Sequence, residues 1–152
     1  MDDIDLRILN LIQADASLTS AEIGKHVGLT TAPCWKRIQK LEETGVIRGR
    51  VALLNAKKLN VGLTVFVTMK TNRHDENWLK HFATVVKGMP EVIEFHRLAG
   101  EIDYLLRVVV PDMEAYDEFY KELIEKISLT DVTSSFSMEQ IKYTTALPLN
   151  RT

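Results

Sequence analysis

The stretch from Thr19 to Gly45 limits what this chain can fold into more than any other. Thr19-x-x-Glu22 is a capping box, in which each side chain takes the backbone N–H of the other residue and starts a helix at about Ser20. Gly28 stops that helix after two turns, near Val27. A second helix follows at once. Thr30 or Thr31 caps it, Pro33 falls in its first turn where a missing N–H costs little, and Gly45 closes it. At about 100° per residue, Cys34, Ile38 and Leu41 share one face of this helix. Lys36 and Lys40 lie opposite with Ala32, flanked by Gln39 on one side and Arg37 on the other. Trp35 sits off the centre of either face and is expected to pack at the helix edge.

A two-turn helix, a glycine turn and a capped helix with donors outward is the layout of a helix-turn-helix, whose second helix enters the major groove of double-stranded DNA. Charge alone would equally describe a solvated surface helix; the succession of elements favours the DNA reader. A net charge of −2 argues against a nucleic-acid partner only until it is divided by position. Residues 1–60 carry +2 and residues 61–152 carry −4, which suggests two halves with two jobs. Within residues 36–58, Lys36, Arg37, Lys40, Arg48, Arg50, Lys57 and Lys58 face only Glu42 and Glu43, a local basic patch of the kind phosphate contact requires. Residues 47–54 read as an extended β-wing that lays Arg48 and Arg50, on either side of Gly49, along the phosphate backbone. The predicted DNA contacts are therefore Thr30 and Thr31 at the helix entry, then Ala32, Lys36, Arg37, Gln39 and Lys40, and Arg48 and Arg50 on the wing. Upstream, Asp2 or Asp3 caps a first helix to about Ala14, with Ile4, Ile8, Leu11 and Ile12 as its apolar stripe.

The second half alternates strand and helix. Residues 55–62 form a hinge, and Leu63 to Thr71 is a strand by its Val, Thr and Phe content. Trp78, Phe82, Val85 and Met89 recur at helical spacing between Asp75 and Pro90. Val92 to Leu98 alternates, and Tyr104 to Val110 is the apolar run of a central strand. Asp112 opens a helix with Met113, Tyr116, Tyr120, Leu123 and Ile127 in a stripe, and Val132 to Lys142 is the last strand. The order βαββαβ is a doubled split βαβ, so the fold class is α+β: a winged helix-turn-helix followed by a ferredoxin-like four-stranded antiparallel sheet with both helices on one face. The other face calls for cover. Pairing it with a second copy buries it at roughly 25 cal/mol per Å², and a twofold dimer is also what two DNA half-sites require.

Several function classes find no support. Met1 is followed by Asp2, Asp3 and Asp5, unlike a secretory signal, and no apolar run approaches a bilayer span, so a cytoplasmic protein without a membrane partner is expected. The single Cys34 makes neither an internal disulfide nor a metal motif, and it reads as a small buried hydrophobe. His26, His74, His81 and His96 are scattered, with no HExxH, CxxC or Gly-x-Ser-x-Gly, so neither an enzyme nor a metal or cofactor is expected.

These residues also resemble a family. Val27-Gly28-Leu29-Thr30, Pro33-Cys34-Trp35, Arg37-Ile38, Leu41-Glu42, Gly45-Val46-Ile47 and Ala52-Leu53-Leu54-Asn55 follow in order the winged helix-turn-helix of the Lrp/AsnC (feast/famine, leucine-responsive) regulators of bacteria and archaea. One departure is that no basic arm precedes the first helix. Gly100-Glu101-Ile102-Asp103-Tyr104 and Val110-Pro111-Asp112-Met113 resemble the RAM domain of the same family. The resemblance implies a DNA-binding domain over residues 1–54, the hinge over 55–62 and an effector-binding, oligomerising RAM domain over 63–152. It further implies a regulator of amino-acid metabolism, located with the nucleoid, that responds to a free amino acid and assembles from homodimers to a tetramer or octamer. The effector pocket would be lined by Gly100, Glu101, Asp103, Tyr104, Ser135, Phe136 and Ser137. Taken by themselves, Gly100 and Asp103 make a tight hairpin turn. The other reading of the whole chain is an architectural protein that wraps DNA without a ligand.

Overall fold

The computed structural model describes residues 1–149, which divide into two compact units: residues 1–53 with the tail from Ile141, and residues 54–140. The first unit is three helices, α1 (Asp3–Ala14), α2 (Ser20–Val27) and α3 (Thr31–Glu43). Asp2 caps α1 in a full box with Asp5, and Thr19 caps α2 in the box expected with Glu22. Gly28 ends α2 in the left-handed conformation. Thr30 is the N-cap of α3, but its side chain makes no capping bond. The three helices close on Ile8, Leu9, Ile12, Ile23, Val27, Cys34, Ile38 and Leu41. Gly24 sets the closeness of the turn, because a Cβ there would lie 2.6 Å from the Leu29 carbonyl oxygen.

Two expectations for this unit change. Residues 47–54 carry no β-ladder; after Ile47, which packs on the helical core, they run as an exposed irregular segment, because among the described residues no strand of the unit lies beside them to take their hydrogen bonds. The tail beyond Gln140, which the sequence reading assigned to the second domain, groups by its contacts with the helices. Gln13 Nε2 donates to the Leu147 carbonyl at 2.9 Å, Leu147 N–H donates to Gln13 Oε1 at 2.9 Å, and Leu149 packs on the helical core.

The second unit follows the expected order: β1 (Leu63–Lys70), α4 (Glu76–Lys87), β2 (Val92–Arg97), β3 (Tyr104–Val110), α5 (Met113–Lys126) and β4 (Asp131–Phe136). Before β1, residues 55–61 form a hydrogen-bonded turn in which Asn55 Oδ1 accepts from Lys58 N–H, so the hinge has internal order. The sheet order is β2-β3-β1-β4, with every pair antiparallel. Val65, Val67 and Met69 of β1 and Tyr104, Leu106, Val108 and Val110 of β3 point to the side covered by α4 and α5. A bulge between Val92 and Glu94 lets both Val92 and Phe95 face that same core. β4 ends at Phe136 instead of Lys142. Its ladder partner β1 begins at Leu63, and the last bond, from Ser137 N–H to the Thr64 carbonyl, uses up the available edge.

Candidate nucleic-acid interface and ligand groove

Helix α3 presents the expected two faces, yet its outward residues are not equivalent. Thr30, Thr31, Ala32, Lys36 and Lys40 are exposed, and neither lysine has an ion-pair partner among the described residues. Arg37 behaves differently. Its Nη1 donates to Asp2 at 2.8 Å and to Asp5 at 2.8 Å, so the guanidinium is turned onto the capping box of α1 and away from the outward face. The Asp5 N–H and then the Arg37 guanidinium hold the Asp2 carboxyl down to about 2. Hydrogen bonds to the Asp2 and then the Asp5 carboxylate raise Arg37 above its ordinary value. The Arg37 guanidinium, predicted as a DNA contact, is thus bound to the start of α1 in this structure. The reason is that two carboxylates 32 and 35 residues upstream reach it in the folded unit.

Glu42 takes up two more of the predicted donors. Arg50 Nη1 lies 2.9 Å from Glu42 Oε1, and Gln39 Nε2 donates to Glu42 Oε2 at 3.2 Å. Arg48 stays exposed and has no ion pair among the described residues. Trp35, expected to pack at the helix edge, is instead 52% exposed. Alongside α3, Asp2, Asp5, Lys36, Arg37, Lys40 and Val46 help to line an open groove of about 680 Å³. Arg37 offsets one of the groove's two carboxylate charges, and Lys36 and Lys40 add two positive charges to the same lining.

In the second unit the Gly100 turn is tightly hydrogen-bonded. Asp103 N–H donates to the Met69 carbonyl at 3.0 Å, its carbonyl accepts from Leu98 N–H at 2.8 Å, and its Oδ2 accepts from Thr71 N–H at 2.8 Å. Gly100 itself has φ 155°, a conformation that a side chain strains. Beside this turn a groove of about 280 Å³ is lined by Thr68, Met69, Lys70, Glu101, Ile102, Asp131 and Thr133. Lys70 Nζ sits 3.2 Å from Glu101 Oε1 at its rim.

The predicted effector set does not assemble as one lining. Glu101 lies in the groove, with Gly100 and Asp103 in the turn that forms its wall. Ser135 lies opposite Phe66 on the face of β4 that Thr133 also occupies. Ser137 ties the sheet end through its N–H. Tyr104 and Phe136 are corrections, since their side chains point to the helix-covered side. Tyr104 is 3% exposed and meets Phe82 edge-on at 5.1 Å, as Phe136 meets Tyr116 at 5.2 Å. Strand alternation dictates this, because Tyr104 pairs with Met69 and Phe136 with Val65, both core residues. The groove also brings in Thr68, Lys70, Asp131 and Thr133, which the sequence reading did not name. The β1–β4 register juxtaposes Lys70 with Asp131 and Thr68 with Thr133, and alternation within a single strand gives no signal of such pairing.

A capped helix-turn-helix with an exposed basic face, joined to a sheet domain with its own groove, defines a DNA-binding regulator of the two-domain, ligand-responsive class. Comparison with known proteins makes the class specific. Residues 1–48 match the winged helix-turn-helix DNA-binding family, and residues 64–147 match the Lrp/AsnC ligand binding domain. The chain is 53% identical to the DNA-binding transcriptional activator DecR of Escherichia coli K12, over 98% of this chain and 99% of that protein. An AsnC family transcriptional regulator from Agrobacterium tumefaciens superposes with a TM-score of 0.95 at 58% identity, over 98% and 97% of the two chains. A transcriptional regulator from Neisseria meningitidis, solved as a complex with L-Met, superposes with a TM-score of 0.93 at 36% identity, over 99% and 97%. The chain belongs to the Lrp/AsnC family of transcriptional regulators and is a DNA-binding regulator, not an enzyme. No helix among the described residues is long and apolar enough to cross a membrane.

Proposed function

We propose that this regulator binds spaced DNA half-sites as a homodimer or a larger even-numbered assembly on the cytoplasmic chromosome, and that a free amino acid in the groove beside Gly100 alters that binding. The observation that carries the DNA half is the pair Lys36 and Lys40, exposed and without ion pairs among the described residues on the outward face of α3. Two unpaired ammonium groups on one face suit phosphate or guanine contact. Arg48, Thr30, Thr31 and Ala32 extend the same surface.

The ligand half is supported by the charges around the smaller groove. An amino acid's ammonium can be met by Glu101 and Asp131, and its carboxylate by Lys70 once Lys70 leaves Glu101. The L-Met bound by the meningococcal relative favours this class of ligand. Self-association is supported by the sheet face opposite the helices, where Phe66 is 37% exposed.

The test is salt-dependent DNA binding of the full chain. Lys40→Ala should weaken binding and lower the slope of log affinity against log salt by about one. Arg37→Ala should weaken binding and leave that slope unchanged, because Arg37 orients the helix without touching phosphate. An unaltered slope in Lys40→Ala would remove α3 from the interface. For the ligand, thermal unfolding is followed with each free amino acid in turn, and assembly mass with each hit. A true effector raises the melting temperature of the wild type and not of Lys70→Ala.

A further inference from the structure

We infer that Trp35 is a base-reading side chain of α3, making apolar contact with a thymine 5-methyl group in the major groove. Several of the longer polar side chains near that face are already engaged. Arg37 is held by Asp2 and Asp5, and Gln39 and Arg50 both reach Glu42. Lys36 and Lys40 remain, but an ammonium is a point charge that positions the helix more than it distinguishes bases. Beyond the short side chains of Thr30, Thr31 and Ala32, few long side chains of this face are free to discriminate bases.

Trp35 supplies a large one. It is 52% exposed, and its indole has no ring partner and no hydrogen bond among the described residues. At about 100° per residue it lies about 60° from Ala32, about 40° from Gln39 and about 60° from the buried Ile38, on the flank of the helix opposite Arg37. Cys34, Ile38 and Leu41 already fill the inward face, each no more than 5% exposed, so the indole has no room in the core. The surface continuous with it, through Ala32 to Lys36 and Lys40, is the one proposed above to meet DNA. The apolar group that base pairs display in the major groove is the thymine methyl. An amphipathic ring with few rotatable bonds is suited to that contact, since it gains buried area at small conformational cost.

The inference rests on the DNA-binding reading, and its test separates the two. Wild type and Trp35→Ala are each allowed to select duplexes from a randomised pool. Each thymine of the wild-type selection is then replaced by deoxyuridine, which deletes only the methyl. Wild type should enrich one thymine per half-site whose deoxyuridine replacement costs about tenfold in affinity. Trp35→Ala should lose about tenfold on the parent duplex, lose nothing more on that deoxyuridine duplex, and melt at the wild-type temperature. Enrichment of the same thymine by Trp35→Ala, or an undiminished deoxyuridine penalty in that variant, would overturn the inference and leave the DNA reader standing. A wild type that selects no duplex would sink both.

Discussion

The two units of this chain reach a fixed structure by different means. Residues 54–140 bury fifteen core side chains, among them Trp78, Phe82 and Tyr104 in mutual ring contact, beneath four hydrogen-bonded strands. The helical unit buries eight, so directed polar contacts carry more of its order. Those contacts are two capping boxes, the Arg37 clamp and the paired amide of Gln13 with Leu147. A smaller domain buries a smaller share of its surface, which leaves each such contact a larger part of a small net stability. The DNA-reading unit should therefore be sensitive to single polar changes and to pH, and the sheet unit chiefly to core changes.

The strongest challenge to that contrast is Phe82→Ala. Phe82 is fully buried against Phe95 and Tyr104, and its truncation should cost about 3–5 kcal/mol of the sheet unit alone. Denaturant unfolding of the full chain, followed by far-UV and near-UV signals, should show one transition shift and the other hold. A common shift of both would mean that the units do not unfold separately and would dissolve the comparison. Gly24→Ala comes next, at about 1–3 kcal/mol, because the new Cβ must displace the Leu29 backbone. Thermal unfolding checks it, and an unchanged melting temperature would show that the turn yields. Thr19→Ala removes one side of the α2 capping box and should cost about 1 kcal/mol, again read by melting of the helical unit.

The smallest effect sharpens the contrast most directly. The Asp2 carboxyl is held at about 2 in the folded chain against an ordinary 3.8, so the unfolded chain binds its proton more readily. Its stabilising contribution is complete above about pH 4 and disappears as pH falls toward about 2. Acid unfolding of the helical unit should therefore steepen across that window in the wild type and flatten there in Asp2→Asn. An identical acid profile in Asp2→Asn would exclude the clamp as a source of stability.

The Thr19–Glu22 box, the Gly28 stop, the apolar run of β3 and the order of strands and helices were all legible from residue spacing. Each depends on partners within about four residues, or on a period that a single segment displays by itself. The exposed lysines of α3 were legible for the same reason.

The contacts that define the sites were of another kind. Arg37 was read as a DNA contact because helical geometry places it on a flank, but helical geometry holds no information about Asp2 and Asp5 arriving from α1. Tyr104 and Phe136 were expected in the pocket from the family resemblance, while ladder register turned them toward the core. The placing of Lys70 opposite Asp131 in the ladder, and Gln13 meeting Leu147 across 134 positions, likewise exist only once the chain is folded. The sequence by itself determined the elements and their order, because those follow from short-range hydrogen bonding and burial period. The tertiary structure alone decided which charges remain free to meet DNA or a ligand, because a side chain's availability depends on partners that packing and register bring from elsewhere in the chain.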